Sequence, residues 1–285
     1  MSKDLPVKKI YIDSRFMRRD SVSTSNFKFE LPYTLKLPDN AIFYVDDVCI
    51  PRNWYTVEAG VNDKLYIRIS DPGFVPPETL HIDYIITLDA KNYNGTQFAA
   101  AVQSKITSIT GGGNVCTCTY DNQSMMMSVH IANLEIQFFT DEELKDVPTQ
   151  LGQNFNQPYN SRDLASGNEL LTNNKIFYDG DTAIPVQYYL NLTPVRNIYM
   201  RSPNLSSFNT IGCNGESSII KKIPVTSQNG DMIFNNILSA NDFLECSRAT
   251  WKTLEFHLVD VNSNYINLHG ANVSFSLIFD KQIPD

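Results

Sequence analysis

Alternation of apolar and polar residues over Trp251–Asp280 constrains this chain more than any other stretch. Leu254, Phe256 and Leu258 alternate with Thr253, Glu255 and His257, while Val273, Phe275, Leu277 and Phe279 alternate with Ser274 and Ser276. A period of two puts each apolar set on one face of a β-strand. Between the two runs, Asp260, Asn262, Ser263, Asn264, Asn267 and Gly270 supply the side-chain-to-backbone bonds and the φ freedom of turns. The spacing therefore predicts an antiparallel pair that covers a core. An isolated pair does not offset its own chain entropy, because about three strands with a shared apolar face are needed. The remaining strands must come from upstream.

Upstream, Lys9–Ile12 reads as a short strand, followed by a polar segment, Asp13–Asn26. With Ser21, Ser23, Thr24 and Ser25 in it, that segment has too little apolar content to pack alone and is expected to lie over a neighbour. Phe27, Phe29 and Leu31 alternate with Lys28 and Glu30 as a strand stopped by Pro32, and Ala41–Ile50 is a longer strand ending at Pro51. From Ile184 the strand pattern resumes, with Val186–Leu192, Asn197–Arg201, Ile219–Val225 and Met232–Phe234. Turn signals separate these runs at intervals of about ten residues, the spacing of a β-sandwich or barrel.

Residues 61–180 differ in character. Leu65–Ile69 and His81–Leu88 read as a strand pair joined by a loop holding Pro72, Pro76 and Pro77. Phe98, Val102 and Ile106 then recur every four residues, with Ala99–Ala101 adding helix propensity, Asn94 or Thr96 as the cap, and Gly111–Gly113 past the end. Val115–Tyr120, Met127–Ile131 and Leu134–Phe139 follow as strands. Asp141–Leu144 suits one helical turn, and Pro148–Asn174 is loop-like with a short helix near Asn168–Leu171. This order describes a small α+β unit. The fold class expected is mainly β, a jelly-roll sandwich built from residues 1–60 and 181–285 with an α+β unit, 61–180, inserted at one end. An alternative puts the strands near Leu65 or His81 in the sandwich itself.

Composition narrows function. In 285 residues, 42% are hydrophobic and 11% aromatic, ample for a core, while 19% are charged, which is low for a solvated monomer and points to surface covered by partners. The 16 Phe and 14 Tyr suit strands and interfaces. A net charge of −8 argues against general nucleic-acid binding. Only the amino-terminal stretch is locally basic, and Arg15, Phe16, Arg18 and Arg19 are its candidate interface residues, facing an acidic neighbour or nucleic acid. The five cysteines, Cys49, Cys116, Cys118, Cys213 and Cys246, lack CxxC spacing and fit a reducing compartment. The chain opens on no signal peptide, and no apolar run approaches the roughly 18 residues of a membrane span.

Candidates for chemistry are few. The four histidines, His81, His130, His257 and His269, fall in no zinc-ligand spacing, although His257 and His269 are placed to meet across the terminal strands. Asp46 and Asp47 are adjacent in a strand and point to opposite faces. Asp179 and Asp181 flank Gly180 without the further oxygens of a calcium loop. Met125–Met127 suits adaptable packing at a hairpin, and no GxSxG elbow or P-loop occurs. No cofactor is expected, and no enzyme.

Several longer stretches carry a resemblance. They are Ile-Asp-Ser-Arg at 12–15, the Ser/Thr run before Phe27, the Ile-Pro strand end at 50–51, residues 196–205 (RNIYMRSPNL), residues 215–225 (GESSIIKKIPV) and residues 268–279 (LHGANVSFSLIF). Together these resemble the penton, or minor capsid, proteins of Polinton/Maverick elements, adintoviruses and virophages, over nearly the whole chain. The resemblance implies a jelly-roll capsomer, a homopentamer at the icosahedral vertex of a virion, beside a double jelly-roll major capsid protein. It carries over no catalytic residue. The alternative function is a receptor- or glycan-binding jelly-roll module of a fibre or spike, for which Trp54, Tyr55 or Tyr66 would be exposed platforms.

Overall fold

A computed structural model of the chain describes residues 8–71, 80–111, 115–139, 168–171, 184–185, 189–205, 210–213 and 215–281. In order, the strands are β1 (Lys8–Asp13), β2 (Asn26–Lys36), β3 (Ala41–Pro51), β4 (Lys64–Asp71) and β5 (Leu80–Thr87), then helix α1 (Gly95–Thr110). There follow β6 (Cys116–Asp121), β7 (Met126–Ile131), β8 (Glu135–Phe138), β9 (Ile184–Pro185) and β10 (Asn197–Arg201). The last are β11 (Ile219–Pro224), β12 (Met232–Asn235), β13 (Leu244–Glu245), β14 (Thr250–Val259) and β15 (Ser274–Lys281). They group into two compact units, residues 1–54 with 195–285, and residues 55–194.

The first unit is a jelly roll. One sheet has the order β1-β15-β3-β12, with β13 also on β3, and the other β2-β14-β10-β11, every pairing antiparallel. The chain passes back and forth between the sheets, as two Greek keys require, and the second unit leaves after β3 and returns before β10. Alternation explains the core: Ile12, Phe27, Phe43, Ile198, Met200, Phe256, Phe275 and Phe279 all turn inward and are buried. Aromatic rings bridge the sheets, with Phe275 edge-on to Phe256 at 4.8 Å and 6.4 Å from Phe27.

Two strand readings need correction. The runs ending the chain are strands with the expected faces, but they do not pair. β14 bonds to β10 and β2, while β15 bonds to β1 and β3, so their apolar faces meet across the sandwich instead of lying side by side in one sheet. Residues 260–273 form a crossing with its own turn, in which the Asp260 carboxylate accepts from the Asn262 and Asn264 amides at 2.8 Å. Nor does Pro32 stop β2. The strand runs on to Lys36 because the register against β14 shifts between Trp251 and Thr253, an irregularity that accommodates a residue without an N–H. There Lys252 Nζ donates to the Leu31 carbonyl at 2.6 Å.

In the second unit, β4 lies between β5 and β8, so the Leu65 and His81 strands form their own sheet, and β7 lies between β6 and β9. Helix α1 has a complete capping box: the Gln97 amide donates to Asn94 Oδ1 at 2.9 Å, and the Gln97 side chain accepts from the Asn94 amide at 3.1 Å. Gly111 ends the helix with φ of 75°, a left-handed angle that suits glycine. Phe98, Val102 and Ile106 are buried with Leu65, Ile67, Val129, Ile131 and Phe138. A 3-10 turn covers Asn168–Leu171. Expectations for Asp141–Leu144, for most of Pro148–Asn174 and for the first part of Val186–Leu192 lie outside the described residues; Tyr189–Leu192 carries no regular secondary structure.

Cysteine placement makes a check on the fold possible. Cys116, Cys118 and Cys246 are buried, Cys49 is half-buried and Cys213 is exposed. Burial pushes the Cys246 thiol up to about 12, with Glu245 adding to it, so its reactive thiolate is absent at neutral pH. A thiol reagent is expected to modify Cys213 rapidly in the native protein, and the buried three only on denaturation. Fast release of more than two equivalents would contradict the packing.

Candidate assembly surfaces

The basic segment sits between β1 and β2, and its conformation is set by its own hydroxyls. The Ser14 amide donates to the Val273 carbonyl at 2.9 Å, and Ser14 Oγ accepts from the Val273 amide at 3.0 Å. Ser21 Oγ accepts from the Lys28 amide at 3.0 Å, and the Ser25 carbonyl accepts from the Leu258 amide at 2.8 Å. A segment too polar to pack by hydrophobic burial is thus held on its own sandwich by hydrogen bonds. Arg15 turns back onto Asp13, its Nε 3.0 Å from both carboxylate oxygens, and holds that carboxyl below the ordinary range. Arg18 does the same to Asp20 and also reaches Glu30 at 3.2 Å. Exposed pairs of this kind contribute little stability. Arg19 and Phe16 remain on the surface, Phe16 at 73% exposure.

This segment belongs to one lateral side of the jelly roll, where β1 and β2 end their sheets. Lys8 Nζ of β1 lies 4.4 Å from the Tyr33 ring centroid of β2, which ties the two edge strands together. Tyr11 and Tyr33 project from them, both exposed.

The opposite side ends in β11 and β12, and it carries a feature that strand reading missed. Along β12, Ile233 is buried and Met232 and Phe234 face outward, and the chain continues through Ile237, Leu238 and Phe243, all exposed. Phe234 and Ile237 are 73% and 72% exposed. Phe243 meets Tyr44 edge-on at 4.9 Å, extending the ridge onto β3. The signal was present: six large apolar residues fall in the twelve positions 232–243 of a stretch, 226–247, without one Lys or Arg. A buried lysine shapes it. Lys221 Nζ, from β11, donates to the Ile237 carbonyl at 2.6 Å and to Asp242 Oδ2 at 3.1 Å.

Asp242 has its pKa lowered: desolvation opposes the shift, but hydrogen bonds from the Ser239 amide and from Lys221 outweigh it. A depressed folded-state value means that the stabilisation is present above the ordinary value of 3.8 and is lost as pH falls through the lower folded value. Acidification below pH 3.8 is therefore expected to loosen 236–243, read as faster amide exchange there, and Asp242→Asn is expected to loosen it already at neutral pH. Unchanged exchange in that variant would remove Lys221–Asp242 as the clamp.

Other sequence candidates do not converge. Trp54 and Tyr66 are buried at 4% and 2% exposure and Tyr55 is half-buried, so the Trp54 and Tyr66 rings offer no platform to a sugar. His257 Nε2 lies 2.9 Å from Glu255 Oε1, and its ring packs edge-on to Tyr265. Cys116 and Cys118 share a face of β6, with sulfurs 3.9 Å apart. Met127 is buried in the second core, while Met125 is in the turn before it. Asp46 bonds Lys9 at 2.6 Å. Asp179 and Asp181 lie outside the described residues. Among the described residues no group of three His, Cys, Asp or Glu could hold a metal, and no helix is long and apolar enough to cross a membrane. A cleft of about 630 Å³ opens between the β1–β2 and β14–β15 connections, lined by Ser14, Met17, Ser25, Tyr265, Asn267 and Asn272 among others.

No protein-family model matches the sequence, and no curated protein matches it. Solved structures do. The selenomethionine crystal structure of the mavirus penton protein aligns with 96% of this chain and 100% of its own, at 10% sequence identity and a TM-score of 0.52. Likeness at that identity is likeness of fold, here over nearly the whole length of both chains.

Proposed function

We propose that this chain is a penton, or minor capsid, protein that forms the pentameric vertex capsomer of an icosahedral virion. The observation that carries the reading is the end-to-end match of fold to a penton protein, inserted unit included. Physical features support it. A structural capsomer needs self-association and no convergent nucleophile and base, and the low charged fraction with exposed aromatic edges suits surfaces that neighbours cover. A pentamer is a heterologous ring, so one subunit must offer two different surfaces, and the two lateral sides of this jelly roll differ in chemistry. In this reading the protein sits in the capsid beside trimers of a double jelly-roll major capsid protein, after folding in a reducing host compartment. Arg15, Phe16, Arg18 and Arg19 serve as contact surface; with Arg15 and Arg18 satisfied by their own carboxylates, nucleic acid is the weaker partner for them. The receptor- or glycan-binding alternative loses its platforms with Trp54 and Tyr66 buried.

The experiment is native mass over a concentration series, alone and co-expressed with the major capsid protein. A discrete pentamer is expected. A trimer would point to a hexon-like or fibre role and overturn the vertex reading, and a monomer under both conditions would overturn self-assembly altogether.

A further inference from the structure

We infer that the ring contact is edge to edge: the Met232–Phe243 ridge of one copy packs against the β1–β2 side of the next copy. The inference rests on the penton reading and names the surfaces that make the ring.

An exposed apolar ridge along the terminal strand of a sheet is a liability in a monomer, because an unpaired edge with large apolar side chains templates aggregation. Met232, Phe234, Ile237, Leu238 and Phe243 form that ridge, and among the described residues no strand pairs with the outer side of β12. Lys221 holds the loop in shape, so the surface is built rather than frayed. Such a surface needs an occupant.

Charge identifies the occupant as a second copy. Between residues 226 and 247 the charged residues are Asp231, Asp242 and Glu245, all acidic. Between residues 8 and 36, on the opposite side of the same sandwich, seven Lys and Arg stand against three Asp and Glu, in a chain whose net charge is −8. Exposed Tyr11 and Tyr33 supply aromatic counterparts there, and Arg19 a surface cation. β1 and β12 are the two ends of one sheet, so each copy presents, on opposite sides, an apolar edge with Asp231 and Glu245 beside the Lys221–Asp242 pair and Lys222 on β11, and a basic aromatic edge. A contact between unlike edges is heterologous, the kind that closes into rings.

The test uses the full chain in two double variants, Phe234→Glu/Ile237→Glu on one edge and Tyr11→Glu/Tyr33→Glu on the other. All four side chains are exposed, so circular dichroism and melting should match wild type. Each variant alone is expected to lose the pentamer, with association weakened at least about a hundredfold, since aromatic anchors dominate interfaces. Mixed, the two retain one intact contact between them and are expected to form a 1:1 dimer and nothing larger. If either pair misfolds, Phe234→Ser/Ile237→Ser and Tyr11→Ser/Tyr33→Ser replace them. A pentameric wild type whose variants also stay pentameric overturns the edge assignment and leaves the penton reading standing. A β1–β2 variant that assembles while the ridge variant does not means a like-edge contact, and overturns it too. A trimeric wild type broken by both variants keeps the edge contact and overturns the pentamer. A wild type that stays monomeric both alone and co-expressed with the major capsid protein overturns both.

Discussion

Phe256→Ala is expected to destabilise the jelly-roll unit by about 3–5 kcal/mol, the range for removing a fully buried aromatic from a core. Phe256 comes from the central strand β14, is wholly buried, and its ring meets Phe275 from the opposite sheet and Phe27 from the neighbouring strand. Truncation leaves a void where two sheets touch, and neither can close it without moving its whole strand ladder. Urea unfolding, with transitions assigned to each unit because a two-unit chain need not unfold in one step, would measure the loss. Ile211→Ala is the control, a large-to-small deletion in the same unit at a site 85% exposed and outside both edges, expected within about 0.5 kcal/mol of wild type. Equal losses from the two would mean that Phe256 does not lie between the sheets.

Arg68→Met is expected to cost the second unit stability toward the lower end of the roughly 3–5 kcal/mol seen when one partner of a buried pair is removed. Arg68 and Asp83 stand opposite each other on β4 and β5, joined by two bonds of 2.7 and 3.0 Å. The Asp83 side chain is 2% exposed, whereas Arg68 retains some contact with solvent and lies over Phe139 at 5.3 Å. Methionine keeps most of the stem and abandons the carboxylate inside. Arg68→Lys is expected to recover only part, because an ammonium does not reproduce the planar fork. Arg68→Met with Asp83→Leu is expected to return most of the loss, since no buried carboxylate is then left without the guanidinium. A double variant no more stable than the single would place the cost in packing.

The fold was legible in this chain to an uneven degree. Leu254, Phe256 and Leu258 announced both their strand and their buried face, and Phe98, Val102 and Ile106 with Asn94 announced a capped helix, because side-chain period and capping chemistry are local. Pairing is not local. The terminal runs look like a hairpin on paper, yet β14 and β15 lie in different sheets, since every strand offers the same backbone donors and acceptors and the pattern of faces is identical whichever neighbour is chosen. The anchoring of the segment after β1 was hidden for a related reason: serine-rich composition tells how little it can bury, while Ser14, Ser21 and Ser25 are anchored through hydrogen bonds to residues as distant as Val273. The ridge needed the fold as well. Met232 and Phe234 read as ordinary strand residues until β12 proved to be the end of its sheet.

By itself, then, the amino-acid sequence determined where strands and the helix form, which side of each is apolar, and how thin the supply of catalytic groups is, all properties of neighbours along the chain. Tertiary structure decided which strands pair, that the two terminal runs face each other across the core, and which apolar side chains were left outside. Those outcomes depend on contacts between residues far apart in sequence, where burial and loop closure, summed over the whole unit, select one arrangement among many with the same local pattern.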